Sequence, residues 1–134
     1  MPSHELNKIL LVEDDDDVQT IVRFSLEKRA TFTVKYCSSG KEALQEAENF
    51  SPDLILLDMM MPGMDGITTF QALRKIPSLA DTPVIFMTAK AQSNEIAQYR
   101  KLGALDVISK PFNARKLADT LREIWKKYNG QRNS

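Results

Sequence analysis

A chain of 134 residues is large enough for one domain with a real hydrophobic core and too short for two of ordinary size. Its 18 basic residues balance 18 acidic ones, which excludes the global positive field of a nucleic-acid or membrane-surface binder and leaves any electrostatic function local. No apolar run reaches the roughly 18 residues of a membrane span, the N-terminus is too polar for a signal peptide, and Cys37 has no second cysteine to pair with, so a cytoplasmic protein is expected.

Residues 1–6 and 129–134 are polar and predict flexible ends around a domain at 7–128. Ile9-Leu10-Leu11-Val12 is a short, continuously apolar run of the kind found in strands buried on both faces, and it ends in five acids, Glu13 to Asp17. A helix carrying Val18, Ile21, Val22, Ser25 and Leu26 on one face follows. Phe32 to Cys37 alternates like a strand near a sheet edge, and Ser38-Ser39-Gly40 opens a second helix with Ala43, Leu44 and Ala47 inward, stopped by Ser51-Pro52. Leu54 to Leu57 forms a second fully apolar strand and runs into Asp58; Pro62, Gly63 and Gly66 make the stretch beyond it an irregular loop. A third helix turns Ile67, Phe70, Leu73 and Ile76 inward until Pro77 ends it.

Val84 to Met87 is the next strand, ending at Thr88, and a short fourth helix with Ile96, Tyr99 and Leu102 is closed by Gly103. Leu105 to Ile108 is a shorter fifth strand that leads to Ser109-Lys110-Pro111-Phe112, after which Asn113 can cap a last helix striped by Leu117, Leu121, Ile124 and Tyr128. Five strands alternating with five helices predict an α/β three-layer sandwich with a mainly parallel sheet.

In such a sheet all strands point one way, so Glu13 with Asp14, Asp58, Thr88 and Lys110 converge on its carboxyl rim although about a hundred positions separate the first from the last. Singly, each has an ordinary explanation: Asp caps helices and turns, Thr belongs in strands, and Lys ends them in solvent. Capping accounts for one or two acids, not five. Three carboxylates at close range repel, by on the order of 4 kcal/mol per pair at about 4 Å and an effective dielectric near 20. A hard divalent cation relieves this, and Mg2+ (or Mn2+) characteristically takes one or two carboxylates, waters and a phosphate oxygen. With Lys110 as a point charge and Thr88 as a hydroxyl donor, the set suits transfer of a phosphoryl group to Asp58.

The stretches VEDD at 12–15, LLDMMMPGMDG at 56–66, MTAK at 87–90 and SKPF at 109–112 resemble the receiver domain of bacterial two-component response regulators, of the stand-alone, chemotaxis-receiver type. That resemblance implies a flavodoxin-like strand order 2-1-3-4-5, with Asp58 taking phosphate from a sensor histidine kinase or a histidine phosphotransfer protein. It further implies that Glu13, Asp14, Asp58 and the Met60 carbonyl arrange the Mg2+ shell, that Thr88, the Ala89 backbone and Lys110 hold the phosphoryl oxygens, and that the Lys110-Pro111 bond is cis. Met60 and Lys90 occupy positions that tune the lifetime of the phosphoryl group, and a long-lived phospho-form is expected. Output to a downstream effector protein would run through the face of the fourth helix, fifth strand and fifth helix, marked by Tyr99, Val107 and Lys116. Val107 departs from the family pattern: an aromatic residue that swings inward often stands there, and a short β-branched side chain cannot make that motion.

A phosphatase with an aspartyl nucleophile carries a second acid two positions on, where this chain has Met60, and a flavodoxin's phosphate loop is not acidic. A receiver-like module that binds partners without phosphorylation lacks site residues that are all present here. The expectation is therefore a signalling domain and not an enzyme, limited to self-catalysed phosphoryl uptake and slow loss. It should bind no nucleic acid or membrane directly and be a monomer or a weak phosphorylation-dependent dimer.

Overall fold

The computed structural model describes residues 5–28, 30–60, 65–89, 92–110 and 112–132. Five strands, β1 (Lys8–Val12), β2 (Thr33–Cys37), β3 (Leu54–Asp58), β4 (Val84–Thr88) and β5 (Asp106–Ser109), form one sheet in the order β2-β1-β3-β4-β5. Every neighbouring pair is parallel, with Ile9 opposite Leu54, Leu57 opposite Phe86 and Thr88 opposite Ser109. Helices α1 (Asp16–Arg23), α2 (Gly40–Phe50), α3 (Gly66–Arg74), α4 (Ser93–Leu102) and α5 (Leu117–Arg132) connect and close the strands.

Strand alternation divides the core into two layers. Leu10, Val12, Ile55, Leu57, Val84 and Phe86 face Ala43 and Ala47 of α2 and Phe70 and Leu73 of α3. Ile9, Leu11, Leu54, Leu56, Ile85 and Met87 face Val22 of α1 and Leu117, Leu121 and Trp125 of α5. The residues of β3 are at most 1% exposed. Burial of each apolar side chain contributes roughly 1.5–3 kcal/mol, which holds the strand, and the acid at its end, deep in the domain.

Several details differ from the sequence-based expectation. Ile21 and Ile67 are exposed, because α1 buries Val22 and α3 buries Thr69, Phe70 and Leu73: each core-facing stripe is narrower than the apolar spacing implies. Helix α1 passes into a π-helical turn, Phe24–Lys28, that buries Ser25 and Leu26. Helix α3 stops at Arg74, and Ile76 takes an extended conformation before Pro77, which opens a 3-10 turn, Pro77–Leu79; the proline ring disfavours helical backbone in the residue before it.

Gly103 closes α4 with φ +120, as its position suggests, but Leu102 is exposed and α4 buries no residue fully. β2 starts at Thr33 and not Phe32, and β5 is displaced by one residue to Asp106–Ser109. Asn113 accepts from the Arg115 amide, yet regular helix begins only at Leu117. The polar composition after Tyr128 argues for a frayed tail, but α5 runs on to Arg132, since a nucleated helix adds a hydrogen bond with each further residue.

Candidate functional site

The strand order reverses at β1: β2 lies on one side and β3 on the other. In open α/β sheets the crevice outside such a switch point is where ligands bind, and here it is bounded by the residues after β1 and at the end of β3. Glu13 continues the β1 ladder by donating its N–H to the Cys37 carbonyl at 2.9 Å, and its side chain is fully buried. Asp58 is 1% exposed, and its Oδ1 accepts from the Met60 N–H at 3.0 Å, which holds the carboxylate toward the loop. Asp14 is exposed beside them.

The remaining acids of the β1–α1 connection have the ordinary explanation. Asp15 is the N-cap of α1, its Oδ1 accepting from the amides of Asp17 at 2.8 Å and Val18 at 3.3 Å, and Asp16 and Asp17 stand in the positively polarised first turn. Glu13 and Asp14 lie before the helix; Glu13 Oε2 accepts from the Asp15 N–H at 3.2 Å, and Asp14 takes no part in the cap.

Lys110 reaches back across the sheet from the end of β5. Its Nζ stands 2.7 Å from Glu13 Oε1 and 3.2 Å from Asp58 Oδ1, so one ammonium bridges two buried carboxylates. Its backbone N–H donates to the Thr88 carbonyl at 2.8 Å, which ties the loop after β5 to the end of β4. Thr88 is 7% exposed, and Ala89 follows in an exposed bend.

The electrostatics follow from burial. Desolvation pushes the Glu13 carboxyl up to about 7, Lys110 pulls it back, and the neighbouring Asp58 adds to the rise. Burial alone would lower Lys110, but Glu13 first and Asp58 second outweigh it and hold the ammonium above its usual value.

Glu13, Asp14 and Asp58 each place a carboxylate oxygen within 4.8 Å of the others. Among the described residues Lys110, 2.7 Å away, is the charge that faces the buried Glu13 Oε1. A convergent set of hard carboxylate oxygens, two of the three residues buried, fits a divalent cation of the Mg2+ or Mn2+ type. At Met60 the contact seen is its amide on Asp58, and its side chain is 72% exposed. Lys90 and Pro111, and with them the Lys110-Pro111 peptide bond, lie outside the described residues.

Gly66 shapes the other wall. A Cβ there would lie 2.6 Å from Met59 Cα and 2.8 Å from the Asp58 carbonyl oxygen, so only glycine lets the start of α3 press against the end of β3. Asp65 caps that helix through the Thr68 amide at 2.9 Å. Of the residues expected on the output face, Tyr99 and Val107 are partly buried and Lys116 is exposed. Sequence spacing misses Gln19, whose side chain reaches the acidic loop from α1; no pattern of residue types marks it.

Known proteins share the sequence pattern and the fold. A model of the response regulator receiver domain family matches residues 9–122. The alkaline phosphatase synthesis transcriptional regulatory protein PhoP of Bacillus subtilis is 37% identical over 117 residues, 87% of this chain and 48% of that protein. The transcriptional regulatory protein CpxR of Escherichia coli K12 is 40% identical over 119 residues, 89% of this chain and 49% of that one. The chain thus spans about half the length of the curated relatives it matches. Among solved structures, the chemotaxis protein CheY4 of Vibrio cholerae superposes with a TM-score of 0.81 at 28% identity, over 90% of this chain and 99% of that one. The family match, the parallel sheet in the order 2-1-3-4-5 covered on both faces and the acidic rim together make this chain a member of the response regulator receiver domain family.

Proposed function

We propose that the domain works as the phosphoacceptor of a His-to-Asp phosphorelay, with Asp58 as the residue modified. The observation that carries this is the bridging of Asp58 and Glu13 by Lys110 beside Asp14, because it gathers a nucleophile, a cation and a metal-ligating pair at one point. In the step proposed, an Asp58 carboxylate oxygen forms a bond to phosphorus as the bond from phosphorus to the donor's histidine nitrogen breaks, and the imidazole leaves. Asp58 is prepared for this by the Met60 N–H and Lys110, which hold Oδ1 and with it the plane of the carboxylate.

Glu13, Asp14 and Asp58, with the Met60 carbonyl, would hold Mg2+ or Mn2+, which when bound supplies positive charge to the phosphoryl oxygens. Lys110 would exchange its partner Asp58 for a phosphoryl oxygen, and the Thr88 hydroxyl and Ala89 amide would donate to the others. The phosphoryl donor is a sensor histidine kinase or a histidine phosphotransfer protein, and the recipient of the signal is an effector protein. The working form is a cytoplasmic monomer or weak phosphorylation-dependent dimer, with no direct contact to nucleic acid or lipid. Among the described residues no helix is long and apolar enough to cross a membrane. A shift of the α4–β5–α5 face through Thr88 transmits the state of Asp58, and an equilibrium moved from 1:99 to 99:1 takes about 5.5 kcal/mol.

Labelling with acetyl phosphate and Mg2+ tests the assignment: Asp58→Asn should take up no phosphoryl group. Substantial label on that variant would overturn the role of Asp58. Amide shifts recorded on the same phosphorylated wild-type sample should reach Tyr99, Val107 and Lys116, and shifts confined to the rim would refute transmission to the outer face.

A further inference from the structure

Gln19 lies one turn into α1, partly buried, on a helix anchored in the core by Val22. Its Nε2 donates to the Glu13 carbonyl at 2.6 Å and lies 3.4 Å from Ser38 Oγ. A carbonyl acceptor can be met only by the amide nitrogen, so the orientation of the Gln19 amide is determined by its partner. Glu13 is therefore held on both sides of its backbone, by β2 through its N–H to the Cys37 carbonyl and by α1 through Gln19.

The consequence lies in the next peptide. The Glu13 carbonyl and the Asp14 N–H belong to one planar unit, and a donor fixed on the carbonyl sets the direction in which the chain leaves toward Asp14. Asp14 is exposed, and among the described residues no hydrogen bond or ion pair holds its side chain. The place of its carboxylate beside Glu13 and Asp58 is inherited from the backbone. Ser38 is itself fixed, its N–H donating to Glu42 Oε2 at 3.3 Å, while the Glu42 N–H donates to Ser39 Oγ at 3.1 Å in the cap of α2.

We propose that Gln19 is a positioning residue for the metal site, holding the Glu13–Asp14 peptide plane so that the two carboxylates meet Asp58. The proposal rests on the metal-binding role given above. Groups that orient ligands from behind commonly change metal affinity by about 10–100-fold when removed. A residue that only fastened the loop would change stability and leave metal affinity alone.

The test uses the full chain and Mg2+ alone. Gln19→Met keeps length and helix propensity but has no donor, and Gln19→Asn keeps the amide but falls one methylene short. Both should bind Mg2+ about tenfold more weakly at pH 8, regain wild-type phosphorylation by acetyl phosphate at saturating Mg2+, and unfold in urea in one cooperative transition, which shows that they are folded. Ser38→Ala, which removes only the 3.4 Å contact, should match the wild type. In the metal-free protein the Asp14 amide resonance should move in the two Gln19 variants and stay put in Ser38→Ala. Wild-type affinity in both Gln19 variants, an equal loss in Ser38→Ala, or an unmoved Asp14 amide would overturn the role of Gln19 while leaving the metal site standing. Failure of the wild type itself to bind Mg2+ would remove the site and this inference with it.

Discussion

Replacing Glu13 by Gln deletes a proton-binding group that burial has displaced from 4.5 to about 7. Each unit of such a shift corresponds to about 1.36 kcal/mol, so ionising Glu13 in the metal-free domain disfavours folding by roughly 3 kcal/mol relative to the unfolded chain. Between pH 4.5 and 7 the native state keeps a proton on Glu13 that the unfolded state has lost, and stability must fall as pH rises through that window and level off above it. Lys110 is held above its usual value and contributes a constant amount across the window, its stabilisation being lost only in strong alkali. Asp65, held below its usual value by the Thr68 amide and hydroxyl, acts only in acid below the window.

Mg2+ competes with the same proton. Its apparent affinity should weaken about tenfold per unit of pH below 7 and become flat above it. Urea unfolding in EDTA at pH 5, 6, 7 and 8, with Mg2+ titrations at the same values, measures both effects. Glu13→Gln should abolish the downward slope, make the metal-free domain more stable at pH 8 by about 3 kcal/mol, and bind Mg2+ weakly at every pH. A wild-type stability that does not fall between pH 5 and 8, or a Gln variant with the same slope, would show that burial does not displace this group.

Lys110→Met leaves two buried carboxylates without the cation that stood 2.7 and 3.2 Å away, a loss of about 3–5 kcal/mol by denaturation at pH 8, much of it restored by millimolar Mg2+; an unchanged midpoint without metal would refute the bridging role. Gly66→Ala drives a methyl group into the Met59 backbone and should cost roughly 1–3 kcal/mol in urea unfolding, with a wild-type midpoint refuting the tight approach. The double variant Met60→Asn with Lys90→Glu should lose its phosphoryl group faster by about tenfold, which needs only about 1.4 kcal/mol of barrier, because an amide can orient the attacking water where a thioether cannot. A decay equal to or slower than wild type in that double variant would sink the lifetime account.

The strands and their order of burial were legible because Ile9 to Val12 and Leu54 to Leu57 are apolar without alternation, which only a strand covered on both faces requires. Helix faces were less legible. Apolar spacing in α1 includes Ile21 and in α3 Ile67, but a helix lying on a sheet buries a narrow stripe, and residues at its margin stay in water at little cost. Along α5 the spacing favours Ile124 and Tyr128, yet Trp125 is the more deeply buried, four residues after Leu121 in the line that starts at Leu117. The π-helical turn at Phe24–Lys28 has no mark in the residue types that compose it.

Direction is topological and distance is not, and the two parts of the site divide along that line. Parallel strands must deliver Glu13, Asp58, Thr88 and Lys110 to one rim whatever their side chains do, so their convergence follows from the order of strands alone. What lies between the rim and the outer face depends on which side chains touch. Val107 pairs with Phe86 across the ladder, and by itself it suggests an aromatic gap beneath Thr88. In the folded chain Tyr99 comes over Phe86 from α4, edge to face at 5.2 Å, and Phe70 meets the same ring from α3 at 5.1 Å. Such pairs contribute about 0.5–1.5 kcal/mol beyond their burial. Helix α4 buries no residue fully, and this contact together with the Arg100–Asp106 ion pair at 2.9 Å ties it to the sheet. The aromatic contact next to Thr88 therefore sits on the most lightly anchored helix and not on the strand, a placement that Val107 alone could not reveal.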